Sequence, residues 1–213
     1  MQDSDQTHIA NPKQSDDTVL SVEDALVGHT LGAYQLTERL GQGGMATVYK
    51  AYEPVLDRYV AVKVLPQFFA NDPNFMQRFQ REAKAVAQLN HPAIVPVYSF
   101  GEDKSITYIA MQYVAGGTLK QSRGQVHSPQ DAIRLILPVV QALAFAHQRG
   151  IIHRDIKPSN VLLSDGKWPL LADFGLAKMV ENSGQLTGTG VGVGTPMYMS
   201  PEQGEGHPVD HRT

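Results

Sequence analysis

"HRDIKPSN", residues 153–160, crowds two basic residues, one acid, one imidazole and one amide into eight positions directly after the run "RGII". A charge run of this kind usually sits in water as a solvated turn, because charged side chains are rarely buried. The residues around it decide whether these side chains are instead placed for chemistry.

The next informative stretch is "LLADFGLA", residues 170–177, with Asp173 between apolar runs and before a glycine. A lone Asp-Phe-Gly is a common turn sequence. Here, however, Asp173 stands 18 residues past Asp155 and 13 past Asn160. That order supplies a carboxylate and an amide oxygen able to converge on a hard cation such as Mg²⁺. Within the charged loop, His153 taken singly reads as a satisfied structural histidine. Asp155 is the better base, since a carboxylate can accept a hydroxyl proton while Lys157, two positions on, neutralises the charge of a transferred phosphate. A serine hydrolase is excluded, because Ser159 lies between Pro158 and Asn160 and not on a glycine-flanked strand-to-helix elbow.

Upstream, Lys63 lies inside "VAVKVL", residues 60–65, where every neighbour is apolar. "NDPNFMQRFQREAKAVAQL", residues 71–89, changes to a helical period: Asp72 can cap, Pro73 suits the first turn, and Phe75, Phe79, Glu82 and Val86 follow steps of 4, 3 and 4 along one face. A buried lysine and a glutamate on an apolar helix face are each costly alone, and could satisfy one another as an ion pair that positions a phosphate ligand. "GQGGMATV", residues 41–48, joins two strands and so is not a dinucleotide-binding strand-to-helix turn. Its glycines would let backbone amides approach phosphate oxygens, although a plain hairpin would use glycine too.

Composition sets the outer limits. The 213 residues suffice for one large domain or two small ones, and 42% hydrophobic and 18% charged residues with a net charge of −3 describe an ordinary globular protein. That balance argues against nucleic acid or an anionic membrane as a partner held by bulk basicity. With no cysteine there is neither a disulfide framework nor a thiolate metal site, and the eight histidines lack paired-ligand spacing. The longest apolar run, 133–146, is too short to span a bilayer and contains Arg134 and Gln141; the acidic, polar N-terminus is unlike a signal peptide. The expected location is cytoplasmic, with any membrane anchor lying beyond Thr213.

Residues 1–26 carry no periodic apolar positions and are expected to be a disordered tail. From 27 to 114, "YQLTERL", "ATVYKAYEP", "RYVAVKVL", "AIVPVYSFG" and "SITYIAMQYV" read as an antiparallel sheet accompanied by the single helix. "AGGTL", residues 115–119, reads as a hinge. The second part, 115–213, begins with "SPQDAIRLILPVVQALAFAHQRG", a helix capped by Ser128, kinked by Pro138 and stopped at Gly150. Short strands and tight loops follow over 151–176, then the flexible Gly/Thr segment "ENSGQLTGTGVGVGT". The fold class is α+β, in two lobes.

Together these motifs resemble the eukaryotic-type serine/threonine protein kinases, and "GQGGMATVYKA" and "GTPMYMSPEQ" are most similar to the bacterial members. Each motif is weak singly; five in one order with compatible gaps leave little room for chance. The resemblance covers about 27–213 and implies a kinase N-lobe over 27–114 and an incomplete C-lobe over 115–213. It implies ATP and Mg²⁺ as cofactors, serine and threonine hydroxyls of proteins as substrates, and self-association for autophosphorylation. Gly41, Gln42, Gly43, Gly44 and Val48 would cover the phosphates, with Lys63 on the α- and β-phosphates, paired to Glu82. Adenine would lie between Leu40, Val48 and Ala61 above and Leu162 below, bonded to the backbone at Gln112 and Val114 behind a Met111 gatekeeper. Asp155 resembles the catalytic base, Lys157 the γ-phosphate contact, and Asn160 with Asp173 the Mg²⁺ ligands. Arg154 places the chain with kinases ordered by activation-loop phosphorylation, Thr187 and Thr189 being the expected sites. Thr195 resembles the threonine that bridges Asp155 and Lys157 and selects Ser/Thr substrates.

Two departures qualify the resemblance. Ala46 stands where the third loop glycine belongs, adding only a methyl group. The chain also ends at "DHRT", ahead of the hydrophobic helix whose aspartate anchors the catalytic loop in the family and of the arginine that pairs with the residue at Glu202. Weak activity of this chain alone is therefore expected, since positioning is most of phosphoryl-transfer catalysis. The alternative is a non-catalytic, pseudokinase-like nucleotide-binding or interaction module.

Overall fold

The computed structural model describes residues 26–43, 46–65, 73–122, 128–165, 167–174 and 196–213. The expected tail, apart from Leu26, lies outside them, as do Gly44, Asp72, Thr187, Thr189 and Thr195.

Six strands form one antiparallel sheet in the order β1-β2-β3-β4-β6-β5: β1 Thr30–Leu31, β2 Tyr34–Gly43, β3 Ala46–Glu53, β4 Arg58–Val64, β5 Val97–Asp103 and β6 Ile106–Gln112. Residues 41–43, expected as part of a glycine turn, belong to β2, with Gly41 opposite Val48, Gln42 opposite Thr47 and Gly43 opposite Ala46 of β3. Alternation along β4 divides the core in two, because successive side chains leave opposite faces of a strand. Val60, Val62 and Val64 join Leu31, Tyr34, Leu36, Tyr49, Ala51, Tyr108 and Ala110 on one face. Ala61 and Leu65 pack on the other face, with Ile109, Met111 and the helix α1, Pro73–Ala87. Lys63 shares the parity of Ala61 and so points toward α1.

Helix α1 docks through Phe79 and Ala83, both buried, with Met76 beside them and the Phe79 ring 5.4 Å from that of Phe100. The strand expected over 93–101 is shorter than its apolar run. Residues 93–95 leave the sheet and bond elsewhere: Ile94 bridges Leu171 in parallel, Val95 N donates to Leu171 O, and Leu171 N donates to Ala93 O. An apolar run reports burial and not which backbone it pairs with.

The second part is built on helix α2, Pro129–His147. Ser128 caps it as expected, its Oγ accepting from Asp131 N at 3.1 Å. Pro138 lies inside a helix that runs without a break. Gly150 takes a left-handed φ of 72° just past the end, the residue type that conformation favours. Val139, Ala142 and Ala146 of α2 pack with Leu89, Ile94, Val161, Leu171 and Phe174, while Ile133, Ile136, Leu137 and Val140 are exposed. A two-stranded hairpin, β7 Val161–Leu163 and β8 Pro169–Leu171, carries the candidate site. The "AGGTL" break crosses this hairpin: Thr118 bridges Leu162, and a Cβ on Gly116 would sit 2.2 Å from Leu163 O. Glycine is required there because two backbones touch.

Candidate active site

The loop 153–160 enters from the end of α2 and leaves through a 3₁₀ turn at Pro158–Asn160 into β7. His153 is 1% exposed, its ring centroid 4.5 Å from that of Phe174. Its Nε2 donates to Ala172 O at 2.8 Å and its Nδ1 accepts from Asp155 N at 3.3 Å. Those partners select one neutral tautomer, and burial pushes the imidazole below its ordinary pKa, outweighing the Ala172 hydrogen bond and the charges of Asp173 and Asp155. His153 is a structural strut, as its sequence setting indicates.

Asp155 is held from two sides. Lys157 Nζ lies 2.7 Å from Asp155 Oδ2, and Asn160 Nδ2 donates to the same oxygen at 2.9 Å and to the Asp155 carbonyl at 2.7 Å. With Nδ2 so engaged, Asn160 Oδ1 remains the acceptor atom of that amide. The Asn160 backbone is fixed as well, its carbonyl accepting from Ala172 N at 2.8 Å. Asn160 therefore abuts the 172–174 segment on which Asp173 stands.

Asp173 has a left-handed backbone, φ 64°, and its side chain is 31% exposed. Lys63 Nζ donates to its Oδ1 at 2.7 Å. Burial tends to raise the Asp173 pKa, but the charge and hydrogen bond of Lys63, with His153 and Lys157 behind them, hold it below the usual carboxylate value. Lys63 is ion-paired to Asp173, an acid the sequence did not suggest as its partner. Glu82 is half-buried on α1. A sequence pattern identifies a lysine that needs a partner but not every acid that reaches it.

Of the expected nucleotide-lining residues, Val48, Ala61, Met111, Val114 and Leu162 fall in one apolar cluster spanning both parts of the chain. Leu40 is 41% exposed on β2, outside that cluster, and Gly41, Gln42 and Gly43 are exposed at the sheet edge. Gln112 N is used by Pro96 O at 3.0 Å. Sequence reasoning missed Gln203, whose Nε2 donates to Arg154 O at 2.7 Å across 49 positions; no local signal announces a contact of that span.

A protein kinase domain model matches residues 34–212. The chain belongs to the protein kinase family. Among curated relatives, this kinase domain is 46% identical over 189 residues to the probable serine/threonine-protein kinase SCO3848 of Streptomyces coelicolor, covering 85% of this chain and 28% of that protein. It is 46% identical over 195 residues to the serine/threonine-protein kinase PknB of Mycobacterium tuberculosis, covering 87% and 31% respectively. The chain thus spans less than a third of the length of these relatives. Among solved structures, the PknI kinase domain of Mycobacterium tuberculosis superposes with a TM-score of 0.68 at 36% identity, over 87% of this chain and 71% of that one. The two-lobed kinase fold with an antiparallel N-lobe sheet is accordingly that of this chain.

The donor set of the kinase site also fits a magnesium ion. Asp173 offers a carboxylate and Asn160 a free amide oxygen from adjacent backbone, and Mg²⁺ is commonly bound by one or two such oxygens together with substrate phosphates.

Proposed function

We propose that this chain carries the phosphotransferase activity of a serine/threonine protein kinase, moving the γ-phosphate of ATP to protein hydroxyls. The observation that carries this reading is the Asp155 carboxylate clamped at 2.7 Å by Lys157 and at 2.9 Å by Asn160. A carboxylate so oriented can accept the proton of an incoming hydroxyl, while the neighbouring ammonium offsets charge on the phosphoryl group in flight. Lys63 would hold the α- and β-phosphates, Asp173 and Asn160 a magnesium ion that offsets charge on the phosphates, and the cluster around Met111 the adenine. Glu82 is half-buried on α1, from where it would steady Lys63 once phosphates draw that ammonium toward them.

Regulation by phosphorylation of Thr187 or Thr189 belongs to the same proposal. Arg154 supports it: its Nε is buried without a hydrogen-bond partner among the described residues, a costly arrangement that an anion such as phosphothreonine would relieve. Thr195 would bridge Asp155 and Lys157, and autophosphorylation would require two copies to meet. Weak activity of these 213 residues belongs to the same proposal: α2, the helix that leads toward the catalytic loop, leaves Ile133, Ile136, Leu137 and Val140 exposed, so it is packed on one side only. Among the described residues no helix is long and apolar enough to cross a membrane.

The test compares radiolabelled phosphate transfer to a generic protein substrate by wild type and Asp155→Asn. Loss of about 10²–10⁴-fold in the variant is expected. Equal incorporation by both would instead favour a non-catalytic nucleotide-binding module.

A further inference from the structure

Gln203 makes one backbone and two side-chain hydrogen bonds that bear on the catalytic loop and its neighbour. Its backbone N donates to Ser200 Oγ at 3.3 Å and its Oε1 accepts from Ser200 N at 3.1 Å, which together form the capping box of the short helix α3, Pro201–Gly204. A glutamate would serve that box equally well. The third bond, Nε2 to Arg154 O at 2.7 Å, needs an amide, because an ionised carboxylate has no hydrogen to give.

The acceptor is not an ordinary carbonyl. Arg154 is a non-glycine residue with φ 67°, a conformation that persists only where surrounding contacts impose it. Its C=O belongs to the same peptide group as the Asp155 N–H. That N–H donates to His153 Nδ1 at 3.3 Å, so the peptide plane is held at both ends, by His153 on one side and Gln203 on the other. The orientation of this plane sets φ of Asp155 and hence the direction in which its carboxylate leaves the loop.

We propose that Gln203 is a positioning residue for phosphoryl transfer, its side-chain amide clamping the Arg154–Asp155 peptide so that the Asp155 carboxylate faces the incoming hydroxyl. The clamp also ties the catalytic loop to α3, which follows Thr187, Thr189 and Thr195 in the sequence. This inference rests on Asp155 being the catalytic base.

The deciding variant is Gln203→Glu, which keeps the cap, removes the donor and, when ionised, adds a negative charge beside the Arg154 carbonyl. The expected result is at least a tenfold fall in kcat with KM for ATP within twofold of wild type. The ratio of variant to wild-type kcat should recover toward pH 5, as the new carboxyl takes up a proton and can donate again. Independently of activity, amide hydrogen exchange should quicken across 153–157 while that of 200–206 stays unchanged. Wild-type kcat together with unchanged exchange at 153–157 would overturn the proposal, as would faster exchange confined to α3. If wild type and Asp155→Asn prove equally inactive, the kinase reading fails, and the exchange measurement still decides whether the clamp exists.

Discussion

Lys63 Nζ and Asp173 Oδ1 lie 2.7 Å apart although 110 positions separate them in the chain. The pair joins the central strand of the sheet to the segment following the β7–β8 hairpin, so it links the two parts of the molecule with opposite charges. It also keeps the Asp173 carboxylate ionised where burial would favour the neutral acid.

Replacing Lys63 with Met removes the cation and leaves that carboxylate with weaker support. Phosphate transfer should fall by about 10²–10³-fold, the usual loss when one preorganised charge partner is removed. The Asp173 pKa is depressed in the folded state, so its contribution to stability is present above its ordinary value of 3.8 and is lost as pH falls through the folded value. Lys63→Met should therefore unfold at lower urea than wild type at pH 7. A midpoint difference that is the same at pH 7 as at the acid edge of folding would contradict this account.

His153 gives the opposite chemistry the same sign. Its folded pKa lies below the ordinary imidazole value of 6.5, so on acidification the unfolded chain takes up the proton first. Stability should be constant well above pH 6.5 and decline as pH drops below it, toward the folded value. The melting temperature recorded from pH 8 to pH 5 checks this. His153→Gln should flatten the decline in part, with a residue left by His147, which is also lowered, by burial and then by His211.

At Gly116 the close approach to Leu163 predicts that even Ala is not tolerated. The added methyl would meet the Leu163 carbonyl at 2.2 Å, so one backbone must move. Gly116→Ala should cost about 1–3 kcal/mol. Chemical denaturation measures it, and a midpoint equal to wild type would show that the two segments are not packed as described.

Phe79 ties α1 to the sheet, being 1% exposed and in contact with Phe100. Phe79→Ala should lose about 3–5 kcal/mol. Because Glu82 follows one turn later, activity should fall more than the folded fraction does. Parallel measurements of unfolding and phosphate transfer separate the two losses.

Much of this molecule was legible in its sequence because the relevant physics is local. The β-branched run at 58–65 identifies a strand, the 4-3-4 spacing after Pro73 a helix and Ser128 a cap. The grouping of Asp155, Lys157 and Asn160 follows for the same reason: they lie within six residues, and their mutual contacts require only one tight loop. Pairings across the chain were not. Lys63 meeting Asp173, Ile94 leaving the β5 run to bridge Leu171, and Gln203 reaching Arg154 depend on how separately formed elements pack. Side-chain period and charge report that a group must be buried or satisfied, and they do so without naming a partner. Which acid reaches a given lysine, and which amide holds a given carbonyl, is decided when the sheet, the hairpin and α3 close on one another and bring distant atoms within 3 Å.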